Sequence, residues 1–174
     1  APGLGRACRP LAGPGSPPAG WPAAGALAYT RPAFTSRDAP HLVLDGSGGV
    51  IVVWKDLRSG IRWDLYAQRL NSVGAPQWTA NGVFVGFSAS WDKTYFSICT
   101  DGAGGAFVAY RIDLSLSDKD IYAVHLNSNG ISTNFTVATP LGFQSNPAIS
   151  ADGRGGGYIA YDDDQGATGR EGRL

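Results

Sequence analysis

The chain has 174 residues, which is long enough for one domain with a hydrophobic core. Its 14 Lys and Arg residues balance 14 Asp and Glu residues, which excludes the basic surface by which proteins bind nucleic acid or anionic membranes. No apolar run approaches the roughly 20 residues of a membrane-spanning helix, so no membrane insertion is expected. Low charge, 25 glycines and many aromatic residues favour a turn-rich β protein.

Residues 1–40 form a Pro- and Gly-rich segment, the least regular part of the sequence. The stretch GWPAAGALAYT around Trp21 resembles QWTANGVFVGF around Trp78, and it is expected to supply a late strand of a partial repeat unit. Cys8 also lies here. It either pairs with Cys99, as in secreted proteins, or leaves Cys99 as a buried free thiol.

Residues 41–95 predict a first unit of four short strands. The second is a β-branched apolar run after a Gly-rich turn, and the third alternates along DLYAQRLN. Asp-Gly and Asn-Ser-x-Gly sequences between the runs are turn signals, in which Gly supplies the positive φ. The strands are expected near 41–45, 49–56, 64–70 and 82–87.

Residues 96–146 repeat this unit. The stretch from Asp45 to Gly74 aligns without a gap on Asp101 to Gly130, 56 positions later. The four strands of the second unit are expected near 95–99, 105–111, 120–126 and 134–138.

Residues 147–174 begin a third copy, with strands expected near 147–151 and 156–161 before an irregular tail. Asp152 follows Asp101 by 51 positions. Repetition at about this period is typical of propellers and solenoids, and four-stranded units repeated radially are propeller blades. The sequence therefore predicts an all-β, β-propeller-like fold of four-stranded antiparallel blades, two of them complete and partial blades at both ends.

The repeated motifs resemble those of a known family. The signature is Asp-Gly-x-Gly-Gly, an apolar strand ending in Trp, Asp-x-Arg-x-Gly and Asp-(Ile/Leu)-Tyr-Ala-Gln-Arg-Leu. The first unit carries it at Asp45–Gly49, Trp54, Asp56, Arg58, Gly60 and Asp64–Leu70. On these motifs the chain resembles a propeller-type repeat of secreted and cell-surface bacterial proteins. The resemblance covers roughly residues 21–163 and implies a propeller fold and an extracellular or cell-surface location. It says little about activity, because such repeats host many roles.

Acidic and tyrosine residues that recur in successive units are predicted to be structural. Asp64 and Asp120 precede the third strand, where a carboxylate can accept N–H bonds from the preceding turn. A residue repeated in every unit serves the unit, whereas a catalytic residue is more typically unique to one. The other repeated positions of this kind are Asp45, Tyr66, Asp101, Tyr122 and Asp152.

Aromatic residues end the second strand of each unit, at Trp54, Tyr110 and Tyr161. One interpretation is packing between neighbouring blades. The other is a lectin-like groove whose aromatic faces stack on sugars, in which case glycans are the partners.

Two further motifs concern metals and modification. Asp162, Asp163 and Asp164 resemble half of a calcium loop, but they lack its alternating spacing and its Glu, so a solvated turn is the default and no cofactor is expected. Asn134 begins an Asn-Phe-Thr sequon for N-glycosylation.

No residue set specifies a reaction. Neither a sialidase-type arginine cluster nor a Ser-His-Asp arrangement has a motif, so the chain is not expected to be an enzyme. The leading hypothesis is a non-catalytic extracellular repeat scaffold for adhesion, surface display or self-assembly. A carbohydrate-binding propeller and a non-catalytic fragment of a secreted hydrolase are the alternatives. The partial blades are expected to self-associate head to tail, into a ring of about six blades or a fibre.

Overall fold

The computed structural model describes residues 7–8, 20–22, 24–30, 37–87, 90–164 and 170–173. All regular structure in these ranges is β, which confirms the all-β prediction, and no helix suited to crossing a membrane occurs there. The strands are β1 Ala7–Cys8, β2 Ala26–Leu27, β3 Arg37–Leu44, β4 Val50–Asp56, β5 Asp64–Leu70, β6 Val83–Val85, β7 Asp92–Thr100, β8 Ala106–Asp113, β9 Lys119–Leu126, β10 Ser132–Ala138, β11 Phe143–Ala151, β12 Gly157–Asp164 and β13 Arg170–Arg173.

The strands pair in chain order as antiparallel meanders. The N-terminal pair is β1–β2, the first unit is the sheet β3-β4-β5-β6, and the second unit is β7 to β10. The third unit is β11 to β13, and a single parallel bridge between Phe143 and Lys119 joins it to the second. All ten strands expected from the sequence occur. The tail was expected to be irregular, but β13 pairs with β12; residues 165–169 and 174 of that tail lie outside the described residues.

A β-bulge interrupts the first strand of every unit. The bulges contain Ala39, Tyr95 and Asn146, whose φ angles of 47°, 40° and 50° lie in the left-handed region. A bulge breaks the two-residue alternation on which the strand predictions depend. The first strands consequently begin three to four residues earlier than expected, at Arg37, Asp92 and Phe143.

The turn between the first two strands has the same geometry in all three units. In the first unit the Asp45 Oδ1 atom accepts N–H bonds from Ser47 and Gly49, both of 2.8 Å. The backbone N–H of Asp45 in turn donates to the Gly49 carbonyl over 3.0 Å. Asp101 and Asp152 repeat both sets of bonds. The Asp-Gly-x-Gly-Gly motif is therefore a closed hairpin turn.

At two junctions, those on either side of the first unit, a Trp lies against a Gly. Trp78, from the first unit, covers Gly130 of the second, where an added Cβ would lie 2.9 Å from the indole Cγ. Trp21 also lies beside Gly74 of the first unit, where its Cε3 is 3.4 Å from an added Cβ and the Ala26 Cβ is nearer, at 2.7 Å. Gly25 and Gly82, which follow these tryptophans by four residues, have φ angles of 87° and 86°. The N-terminal segment thus meets the first unit through a Trp–Gly contact like the one between the first and second units, and its assignment to a partial repeat unit stays a prediction.

Two hydrophobic clusters fill these junctions. One joins the N-terminal segment to the first unit, where the ring of Tyr29 stacks on Trp54 at 5.0 Å. The other lies between the first and second units. Its fully buried members include Ile51, Val53, Leu65, Val108, Tyr110 and Leu126. Each apolar face of the first unit is therefore covered by a neighbouring unit.

Candidate functional site

The turn aspartates are held by residues of their own unit. The second oxygen of Asp45 accepts a bond of 2.9 Å from Arg69 Nε, and that of Asp101 lies 2.8 Å from His125 Nε2. Burial acts to raise the pKa of Asp45, but the N–H groups of the turn and the Arg69 guanidinium together hold it below its usual value. The pKa of Asp101 is lowered against burial in the same way, with His125 in place of Arg69.

Asp64 is the anion of an ion pair between units. Its Oδ1 accepts a bond of 2.8 Å from Lys93 Nζ, and Lys93, on the first strand of the second unit, is itself fully buried. The backbone N–H of Lys93 also donates to the Trp63 carbonyl over 2.7 Å. The sequence suggested a partner in the preceding turn. The observed partner lies 29 residues away, where no local spacing pointed to it.

Asp120 occupies the equivalent position without such a cation. The residue that aligns with Lys93 is Gln144, which is fully buried and donates to Asp163 Oδ1 over 3.1 Å. Among the described residues no basic side chain pairs with Asp120, which accepts a bond of 3.2 Å from the Tyr122 hydroxyl. Burial raises the pKa of Asp120, and the nearby Asp118 carboxylate raises it further.

The strand-end aromatics are packing groups in the first two units. Trp54 and Tyr110 are fully buried, so neither is available to stack on a ligand in the folded protein. Trp54 Nε1 donates to Asp56 over 3.0 Å. Tyr66 lies beneath the Arg58 guanidinium, whose carbon is 3.3 Å from the ring centroid. Tyr161, in the third unit, is only partly buried.

The three adjacent aspartates of the third unit do not converge. Asp162 accepts a bond of 2.8 Å from Asn146, whereas Asp163 is buried against Gln144. Within the described ranges no group of three or more His, Cys, Asp or Glu side chains is placed to hold a metal ion, and the expectation of a solvated turn without a cofactor stays a prediction. Asn134 lies on the exposed face of β10, so its side chain is open to solvent.

Among the described side chains, Cys99 and the two histidines form no catalytic arrangement. Cys99 is a buried free thiol in the described part of the structure, while the side chain of Cys8 lies outside it. His41 lies against the ring of Phe96, 4.5 Å between centroids, and His125 bonds to the turn carboxylate of Asp101.

A cleft of 580 Å³ opens where the first and second units meet. The first unit contributes residues of β3 and β4, and the second contributes residues of β7 and β8. No motif pointed to this cleft, because its lining comes from strands of two different units that are distant along the chain. The lining residues are Ala39, His41, Lys55, Thr94, Tyr95, Phe96, Arg111 and Asp113.

Four side chains on the second-unit side of the cleft form one connected group, namely Thr94, Tyr95, Arg111 and Asp113. Arg111 Nε and Nη2 donate to the two oxygens of Asp113 over 2.6 and 3.1 Å. The Thr94 hydroxyl lies 3.2 Å from both Arg111 Nε and Asp113 Oδ1. The guanidinium lies over the ring of Tyr95, 4.2 Å from its centroid, and Tyr95 is 57% exposed.

Comparisons of the chain with protein-family models, with curated proteins and with solved structures gave no match.

Proposed function

We propose that the chain is a non-catalytic repeat scaffold whose units are blades of a β-propeller-like assembly. In this proposal it acts outside the cell or on its surface, in adhesion, display or self-assembly, through docking of further units. The extracellular location rests on the resemblance of the repeated motifs. The proposal of a non-catalytic role rests on the recurrence of the acidic and aromatic positions in successive units, because a catalytic residue is more typically unique to one unit.

The observation that carries the proposal is the repetition of the junction itself. A Trp placed on a Gly joins the N-terminal segment to the first unit and the first unit to the second. The N-terminal segment and the first unit therefore each meet the following unit through the same kind of contact, and stacking of this kind is how repeat proteins bury apolar faces that no single unit can bury alone.

The outward face of the third unit is apolar and open. Ile51 and Val53 are fully buried between the first and second units, whereas Tyr158, which aligns with Ile51, is 75% exposed. Ala160 aligns with Val53 and is only partly buried. An apolar depression of 520 Å³ lies here, lined by Ala148, Ile149, Ser150, Tyr158, Ile159 and Ala160. We propose that this face receives a unit of another copy, because equivalent faces within the chain are covered by units of the same repeat.

Light scattering after size-exclusion chromatography tests this proposal. The wild-type chain is expected to associate as its concentration rises, and Tyr158→Arg is expected to remain monomeric because it places a charge in the apolar contact. Leu116→Arg is the matched control, since Leu116 is 95% exposed in a loop away from this face. A wild-type chain that stays monomeric throughout, or a Tyr158→Arg variant that associates normally, would overturn self-association through this face.

A further inference from the structure

We propose that the cleft between the first and second units binds a ligand that carries a carboxylate on a ring. This site is separate from the face assigned to assembly, so either proposal can fail without the other.

The polar group of the cleft is particular to the second unit. Arg111 aligns with Lys55 in the first unit and with Asp162 in the third, and Asp113 aligns with Leu57 and Asp164. All three units nevertheless form the same meander with the same turn. The bidentate Arg111–Asp113 pair is therefore not needed to build a unit, and a residue set unique to one copy of a repeat points to a function of that copy.

The backbone at Tyr95 supports the same inference. The bulge places this residue at a φ of 40°, a conformation that is uncommon for a bulky side chain. The equivalent residues are Ala39, which is small, and Asn146, a type that tolerates the left-handed region. The second unit thus keeps an unfavourable residue where a small or amide side chain suffices for folding. Strain retained in this way is characteristic of binding sites.

The lining favours a negative charge. Lys55 and Arg111, which come from opposite units, and Asp113 are the charged residues of the lining, which leaves the cleft with one net positive charge. Both Asp113 oxygens accept from Nε and Nη2 of Arg111, while Nη1 makes no hydrogen bond to the described residues. A guanidinium held by a carboxylate and a hydroxyl is pre-oriented, so its remaining N–H groups can bind an incoming carboxylate at little entropic cost.

The lining also provides ring surface beside this charge. The Tyr95 side chain is more than half exposed, and the rings of His41 and Phe96 form an aromatic pair in the same cleft. Flat faces of this kind pack against sugar or aryl rings. A ligand whose carboxylate contacts Arg111 and Lys55 therefore places its ring against these aromatic side chains. An acidic sugar and an aromatic acid share this chemistry.

Titration calorimetry with three probes tests the proposal: digalacturonate, 4-hydroxybenzoate and the neutral disaccharide galactobiose. At least one carboxylate probe is expected to bind, with an affinity that falls as salt is added, while galactobiose is not. Binding of digalacturonate alone identifies an acidic sugar, and binding of 4-hydroxybenzoate alone identifies an aromatic acid. Absence of binding by both acids at millimolar concentration, or equal binding of galactobiose, would overturn the proposal.

Two variants assign the binding to the cleft. Tyr95→Asn removes the ring but introduces the residue that the third unit holds at the same bulge, so the fold is expected to persist. Lys55→Gln removes one charge from a side chain near the surface. Each is expected to weaken binding at least about tenfold, a loss of about 1.4 kcal/mol. Arg154→Gln removes a similar charge from an exposed turn of the third unit and is expected to leave affinity unchanged. Unchanged affinity in both cleft variants would place the ligand elsewhere.

Discussion

The two aspartates that precede the third strands show how one repeated residue acquires two environments. Asp64 is paired with the buried Lys93, whereas the residue that aligns with this lysine in the third unit is Gln144, and Asp120 has a raised pKa. The aspartate is a property of the repeat and was evident from the sequence. Its partner comes from the next unit, and nothing in the local sequence distinguishes the lysine from the glutamine as a partner before the sheets are packed together.

Asp64→Ala is expected to destabilise the protein strongly. The substitution leaves the Lys93 ammonium buried without its carboxylate, and breaking a buried pair in this way costs about 3–5 kcal/mol. Denaturant unfolding measures the change. Replacing Lys93 by Met in the same chain is expected to recover much of the loss, because no buried charge then remains. An unchanged free energy of unfolding for Asp64→Ala would show that the pair contributes nothing to the junction.

Asp120→Asn is expected to have the opposite effect at neutral pH. The folded-state pKa of Asp120 is raised by burial, so folding favours the protonated form. Its contribution to stability is present below the ordinary Asp pKa of about 3.9 and is lost as the pH rises through the raised value. The variant mimics the protonated form, so its Tm at about pH 7 should exceed that of the wild type. Melting curves that drop equally with pH in both proteins would contradict this assignment.

At the scale of elements, the sequence was sufficient to predict those turns and strands that depend on contacts between residues close together in the chain. The turn at Asp45 closes on partners two and four residues away, so its motif was sufficient to place the hairpin. The start of β7 was misplaced because the bulge at Tyr95 interrupts the alternation. The strand β13 was not expected because the tail lacks the Asp-Ile-Tyr-Ala motif, and its pairing with β12 is visible only in the folded chain.

The substitution Gly130→Ala tests the contact between Trp78 of the first unit and Gly130 of the second unit. An added Cβ would lie 2.9 Å from Trp78, and the residue has a φ of 77°. The left-handed backbone alone costs an alanine about 1–2 kcal/mol, and overpacking adds about 1–3 kcal/mol. Gly102→Ala is the control, because Gly102 has a φ of 74° and nothing lies within 4 Å of an added Cβ. Equal losses in unfolding free energy would show that Trp78 moves aside freely.

At the scale of the whole molecule, each unit contacts mainly the units next to it along the chain. Stability in such an array is approximately the sum of unit terms and junction terms, so neighbouring units need not unfold together. The junction of the first two units has a large apolar cluster and a buried ion pair. At the next junction Gln144 replaces the lysine, and the third unit has an exposed outward face. The third unit is therefore expected to unfold before the other two units.

The placement of tryptophan has a consequence for how that loss can be observed. All five tryptophans occur at or before Trp91. Trp21 lies at the junction of the N-terminal segment with the first unit, and Trp78 lies at the junction of the first and second units. The third unit contains none. Detachment of this unit would leave tryptophan emission almost unchanged while the strand signal in circular dichroism decreases. On heating, the circular dichroism transition should therefore occur at a lower temperature than the fluorescence transition. The difference between the two midpoint temperatures measures how strongly the second and third units are coupled.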